Sequence, residues 1–146
     1  MSEDIRRQRA EQLMRFFEHA PMKRTFGMEL SFDDAGNAEF AMPNQSKMHH
    51  AFGDTHGGVI ATLLDNVGWF TAATRYDCWV NTSELTVRLH EPARQEALLG
   101  TGRVVRAGKR LCVVEMQVHS KTGRLVATGS GSFMVSSRRI ELPAEA

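Results

Sequence analysis

The sequence predicts an α+β domain in which an antiparallel sheet wraps around one central helix, with an additional helix at the N-terminus. Three observations predict it. The stretch Thr55–Thr74 is largely apolar, and Val59, Ile60, Leu63, Leu64, Val67 and Phe70 recur at helical spacing. Segments on either side of it alternate apolar and polar residues between short turn-forming clusters. The 146 residues, 42% hydrophobic and 24% charged, suffice for one domain with its own core.

Taken in order, Ser2–His19 reads as an amphipathic helix. Ser2, Glu3 and Asp4 suit its N-terminal end, Ile5, Leu13, Phe16 and Phe17 form the apolar stripe, the arginines face water, and Pro21 ends it. Thr25–Phe32 alternates and reads as a strand. Asp33–Asn37 has the composition of a turn, and Ala38–Met42 returns as the second strand of a hairpin. Pro43–Thr55 is a connecting loop that carries His49, His50 and Asp54 to the start of the central helix. Beyond that helix the chain alternates from Thr82, with Leu85, Val87 and Leu89 on one face and Thr82, Glu84, Thr86, Arg88 and His90 on the other, until Pro92 stops it. Ala97–Arg106, Leu111–Ser120 and Arg124–Val135 are further strands, joined by the basic turn Ala107–Arg110 and by Lys121–Gly123. Six strands make one antiparallel sheet, the last four in the order of a meander, with the helix on its concave side. The tail from Ser136 is polar and is expected to fray. The plan is therefore 1–24 for the N-terminal helix and linker, 25–136 for the domain, and 137–146 for the tail.

A formal net charge of +1 gives no reason to expect nucleic-acid binding. Cys78 and Cys112 form neither a metal spacing nor a disulfide framework, and read as small apolar residues in a reducing compartment. The charged N-terminus lacks the apolar core of a signal peptide, and Asp65 interrupts the best candidate for a membrane span. A cytoplasmic protein without membrane partners is the expectation.

Two features do not belong in a plain core helix. Gly57-Gly58 after His56 either lets the chain turn or bares the first backbone N–H groups, whose donors and dipole can hold an oxyanion. Asp65 either bonds nearby backbone or serves as a general base or nucleophile. His49, His50 and His56 do not follow a standard metal-ligand spacing, and no metal is expected. Gly57 and Asp65 lie about 12 Å apart along one helix at about 1.5 Å per residue. Attack requires the two groups at one carbonyl carbon, so a two-fold dimer that joins the helix start of one chain to the Asp of another suits the spacing.

The run H-G-G-V-I-A-T-L-L-D-N at His56–Asn66, together with Pro92-Ala93 after a strand and Gly108–Arg110 between two strands, resembles the hotdog-fold acyl-CoA thioesterases of the phenylacetic acid degradation (PaaI-like) type. The similarity runs from about Phe26 to Val135. The resemblance implies hydrolysis of an acyl-CoA to a carboxylate and free CoA in a homodimer, and in pairs of dimers, with no cofactor beyond the CoA of the substrate. It implies that the Gly57 N–H polarises the thioester carbonyl and that Asp65 activates water or attacks directly. Thr82 fits the family's supporting Ser/Thr slot, and equally reads as an ordinary strand threonine. His50 stands where the family often has Asn; it could donate the same hydrogen bond, take part in acid–base chemistry, or mark a different substrate geometry or reduced activity. His56, Gly58 and Asn66 of the motif are substrate-binding candidates. Arg106, Lys109 and Arg110 are the candidates for the CoA phosphates, with Arg88 and Arg103 behind them. Val67, Trp69 and Phe70 are candidate walls of the acyl site. The alternative is a hotdog module that binds an acyl-CoA without hydrolysing it; a related dehydratase is disfavoured, because its His-plus-acid motif is absent around Asp65.

Overall fold

The computed structural model describes residues 1–141. Helix α1 (Glu3–Glu18) begins at Ser2, whose hydroxyl accepts from the Ile5 N–H as an N-cap. Its buried stripe is Arg9, Ala10, Leu13 and Phe17, while Ile5 is exposed. The expectation that all the arginines face water fails at Arg9, which is 8% exposed and donates through Nε to the Tyr76 carbonyl at 2.7 Å. An Arg can be buried when its stem packs and its head finds a backbone acceptor.

Pro21 opens a second helix instead of ending structure. Helix α2 (Pro21–Phe26) has Pro at its first turn and Gly27 in the left-handed conformation at its end. The strand expected over Thr25–Phe32 is therefore only β1 (Glu29–Phe32), which pairs with β2 (Ala38–Met42) as a hairpin. Asp33 closes the turn between them by accepting from the Ala35 and Asn37 N–H groups.

Helix α3 (Gly57–Ala73) is the central element, followed by β3 (Cys78–Leu89), β4 (Leu98–Ala107), β5 (Leu111–Ser120) and β6 (Leu125–Arg139). The six strands form one antiparallel sheet in the order β1-β2-β4-β5-β6-β3. The meander is thus limited to β4, β5 and β6. β3 lies at the far edge and, among the described residues, pairs only with β6. Strand β6 continues through Ser136 to Arg139, and Ile140 is 6% exposed, so the tail does not fray at Ser136; the part of that expectation covering 142–146 lies outside the described residues.

The core lies between α3 and the sheet. Leu63, Leu64 and Val67 of α3 are fully buried against Phe40, Val114, Met116 and Phe133. Leu13 and Phe17 join the same core from α1, with Phe17 edge-on to Phe40 and Phe70. Gly68 permits the close approach: a Cβ there would sit 2.5 Å from Phe133 Cζ. At the far end of α3, burial and the neighbouring Cys112 push the Tyr76 phenol up to about 12, and it donates to the Gly108 carbonyl at 2.7 Å. Cys78 and Cys112 are both free thiols. Among the described residues, no helix is long and apolar enough to cross a membrane.

Candidate active site

The start of α3 is a built helix terminus. His56 is its N-cap, and its Nδ1 accepts from the Gly58 N–H at 2.8 Å. The His56 carbonyl accepts from Val59 and Ile60. Among the described residues, the Gly57 N–H has no acceptor, so the one unused donor of the turn is the one the motif designates. Gly58 has its donor occupied by the cap. Gly57 has a packing reason to be glycine as well: a Cβ there would lie 2.6 Å from Leu89 Cδ1.

The loop before the helix braces this terminus. His49 bridges to Thr55 and its ring bonds Asn44 Oδ1 at 2.7 Å. His50 donates its backbone N–H to Asp54, and its Nδ1 accepts from the Phe52 N–H at 3.1 Å. That bond places the proton of the neutral His50 ring on Nε2, leaving a donor there. His50, Asp54 and Gly57 share an open groove of about 470 Å³ with Leu89, His90 and Glu91. The last two were not among the candidates; His90 is tied to Thr128 Oγ1 and Glu91 to Arg124, contacts made across strands that no local motif announces. Among the described residues, no group of three or more His, Cys, Asp or Glu side chains gathers as a metal site would need.

Asp65 lies two turns further along α3, half-buried, where Thr82 Oγ1 donates to its Oδ1 at 2.8 Å. Simple alternation places Thr82 on the face opposite Leu85. A bulge reverses this: Thr82 pairs with Phe133 and Glu84 with Ser132, leaving Ser83 as the extra residue. The bulge puts Thr82 on the helix-facing side with Val80 and Leu85, which is how it reaches Asp65. Asn66 turns back to the Thr62 carbonyl.

Asp65 and Asn66 open on a cavity of about 220 Å³ walled by Phe16, Phe17, Trp69, Phe70 and Trp79, with Ala20 and Met22. Of the expected walls, Trp69 and Phe70 line it. Val67 does not; it is fully buried toward β4, where a Cβ on Gly100 would meet it at 2.6 Å. Phe16, Phe17, Ala20, Met22 and Trp79 are not among the expected walls, because they come from outside the central helix.

Within one chain the two halves stay apart, with Gly57 against the end of β3 and Asp65 against its middle. The basic turn is more distant still. Gly108 touches Tyr76 beyond the C-terminal end of α3, about one helix length of 25 Å from Gly57 at about 1.5 Å per residue. Arg106, Lys109 and Arg110 are exposed there and are not brought to Gly57 of their own chain.

An antiparallel sheet wrapped around a central helix is the hotdog fold, and residues 52–127 match the thioesterase superfamily. The chain is 29% identical over 138 residues to the medium/long-chain acyl-CoA thioesterase YigI of Escherichia coli K12, with 82% of this chain and 88% of that protein covered. A protein of Shewanella oneidensis related to the thioesterase superfamily matches with a TM-score of 0.81 at 28% identity, over 92% of this chain and 100% of that one. The Escherichia coli PaaI protein from the phenylacetic acid degradation operon shares the fold with a TM-score of 0.84 at 19% identity, over 95% of this chain and 99% of that one. The fold and helix motif thus define a hotdog protein of the thioester hydrolase class. The chain belongs to the thioesterase superfamily.

Proposed function

We propose that this protein hydrolyses acyl-CoA thioesters at two equivalent sites, each shared between two copies of the chain. The observation that carries the reading is Asp65, held by Thr82 at the mouth of an apolar cavity, in a fold that also presents an N–H at Gly57 without an acceptor among the described residues. YigI, named an acyl-CoA thioesterase, supports the substrate class.

The edge of the sheet supports the dimer. β3 is 12 residues long and, among the described residues, its outer edge is unpaired, which makes it a template for a second copy. Thr82 and Leu89 are about 23 Å apart along it at about 3.3 Å per residue. Antiparallel pairing of β3 with its copy, centred between Leu85 and Thr86, sets Thr82 of one chain opposite Leu89 of the other. Gly57 abuts Leu89 and Asp65 bonds Thr82, so this pairing moves the helix start of one chain toward the carboxylate of its partner. Such dimers associate in pairs under the same reading.

In the reaction the Gly57 N–H, with the His50 Nε2–H as a second donor, stabilises the oxyanion on the thioester carbonyl. Asp65 of the other chain takes a proton from water while the oxygen adds to the carbonyl carbon, or its carboxylate adds directly and water opens the resulting anhydride. In both routes the C–S bond breaks and the CoA thiolate leaves. Thr82 orients the carboxylate in either case. Arg106, Lys109 and Arg110 serve the CoA phosphates only if another chain presents them. No group beyond the substrate's own CoA is required.

Thiol release from a panel of acyl-CoAs tests the proposal, and release above the uncatalysed rate is the expected result. Tight calorimetric binding without release would favour the binding module, the reading to which His50 in the usual Asn slot points. The same assay reads the supporting residue. Thr82→Val keeps the shape but removes the hydroxyl that bonds the carboxylate, and should lower kcat by about tenfold or more while leaving KM near its original value.

A further inference from the structure

Helix α1 is anchored against the core and its next residue is left at the cavity. Leu13 and Phe17 are buried, Phe17 meets Phe40 and Phe70 at 5.2 and 5.4 Å, and Arg9 is tied to the Tyr76 carbonyl. These contacts fix the orientation of Phe16, which is half-buried and stands 6.5 Å from Trp69 and 5.7 Å from Trp79. The indoles are themselves held: Trp69 Nε1 donates to the Val80 carbonyl and Trp79 Nε1 to Asn81 Oδ1. Phe16, Trp69 and Trp79 wall the cavity that opens at Asp65. Behind it, Phe17, Phe40 and Phe70 are 1%, 0% and 5% exposed and packed edge to face, so close-packed core bars any continuation inward.

We propose that α1, through Phe16 set against Trp69 and Trp79, is the end wall of the acyl site and sets the upper size of the acyl group it binds. The identity of the ligand as an acyl-CoA rests on the function proposed above; the wall rests on the cavity. Phe16 is here a specificity-determining residue that touches the acyl group, remote from the reacting carbonyl. While a growing chain still enters the cavity, each buried methylene strengthens binding about fourfold. Past the wall, further methylenes remain in water and add nothing.

The test uses S-alkyl thioethers of CoA, from butyl to hexadecyl, which cannot be hydrolysed. The chain has 2 tryptophans, and both line the cavity, so intrinsic fluorescence reports its occupancy directly. For the wild type, affinity should climb with chain length to a break and then level. In Phe16→Ala the break should move to chains longer by roughly two methylenes or more, each still contributing about fourfold. Phe16→Leu, which keeps apolar bulk on the helix, should place the break between the two and carries the test if the alanine variant does not fold. Affinity that climbs undiminished to hexadecyl in the wild type, a break unmoved in the Phe16 variants, or no tryptophan response to any thioether overturns the proposal. Failure of the thioesterase reading is seen separately, as absence of thiol release from true thioesters.

Discussion

Asp65→Asn should lower kcat for acyl-CoA hydrolysis by about a thousandfold, inside the range of about 10²–10⁴ that a positioned acid–base group contributes. The effect should fall on kcat, because in the proposed reaction the carboxylate acts on water or on the carbonyl carbon and contributes little to holding the substrate. The fold should survive. Asp65 is half-buried rather than locked in the core, and Asn has the same shape and can still accept from Thr82 Oγ1. Thiol release at saturating substrate, with a urea midpoint measured on the same preparation, separates lost chemistry from lost structure. A folded variant with wild-type turnover would remove Asp65 from the mechanism.

The second large effect is at the other half of the site. Gly57→Pro removes the N–H proposed as the oxyanion donor and should cost about 10²–10³ in kcat, the usual effect of losing one such donor. Proline suits the first position of a helix, and His56 before it has φ −59 and ψ 136, a conformation that proline favours in its predecessor. Both proline and alanine bring a Cβ toward Leu89 Cδ1, the end of a side chain that is 54% exposed in the single chain and can swing aside. Gly57→Ala retains the N–H, so it should lose far less activity than the proline variant. Equal losses in the two would mean that crowding at Leu89, and not the donor, explains the glycine.

The periodicity of α3 and the turn compositions carried the architecture because each is a local property. The apolar spacing from Val59 to Phe70 and the clusters at Asp33–Asn37 and Lys121–Gly123 report their own segments. Non-local choices were hidden. Nothing between Leu89 and Leu98 states that β3 will pair with β6 rather than β4. In the sequence Pro21 reads as a stop, yet a proline is as well suited to begin a helix as to follow one. The sequence puts Arg9 in water because its acceptor, the Tyr76 carbonyl, lies 67 residues away. The site shows the same division. The motif from His56 to Asn66 named Gly57 and Asp65, but the route from Thr82 to Asp65 depends on a bulge at Ser83 that strict alternation denies. Phe16 and Trp79 reach the cavity only through the docking of α1, so no spacing within the central helix could have included them.

The proposed sharing of the site is tested most directly by mixing the two variants expected to be inactive. Asp65→Asn and Gly57→Pro chains carrying different affinity tags are co-expressed, mixed dimers are verified by tandem purification, and thiol release is measured on the unfractionated pool. If the site is shared as proposed, Gly57 of the Asp65→Asn chain meets Asp65 of the Gly57→Pro chain in a mixed dimer, and one of the two sites is whole. Random pairing should therefore restore about a quarter of wild-type activity from two nearly inactive parents. A pool that contains mixed dimers yet stays as inactive as its parents would contradict a site divided between chains.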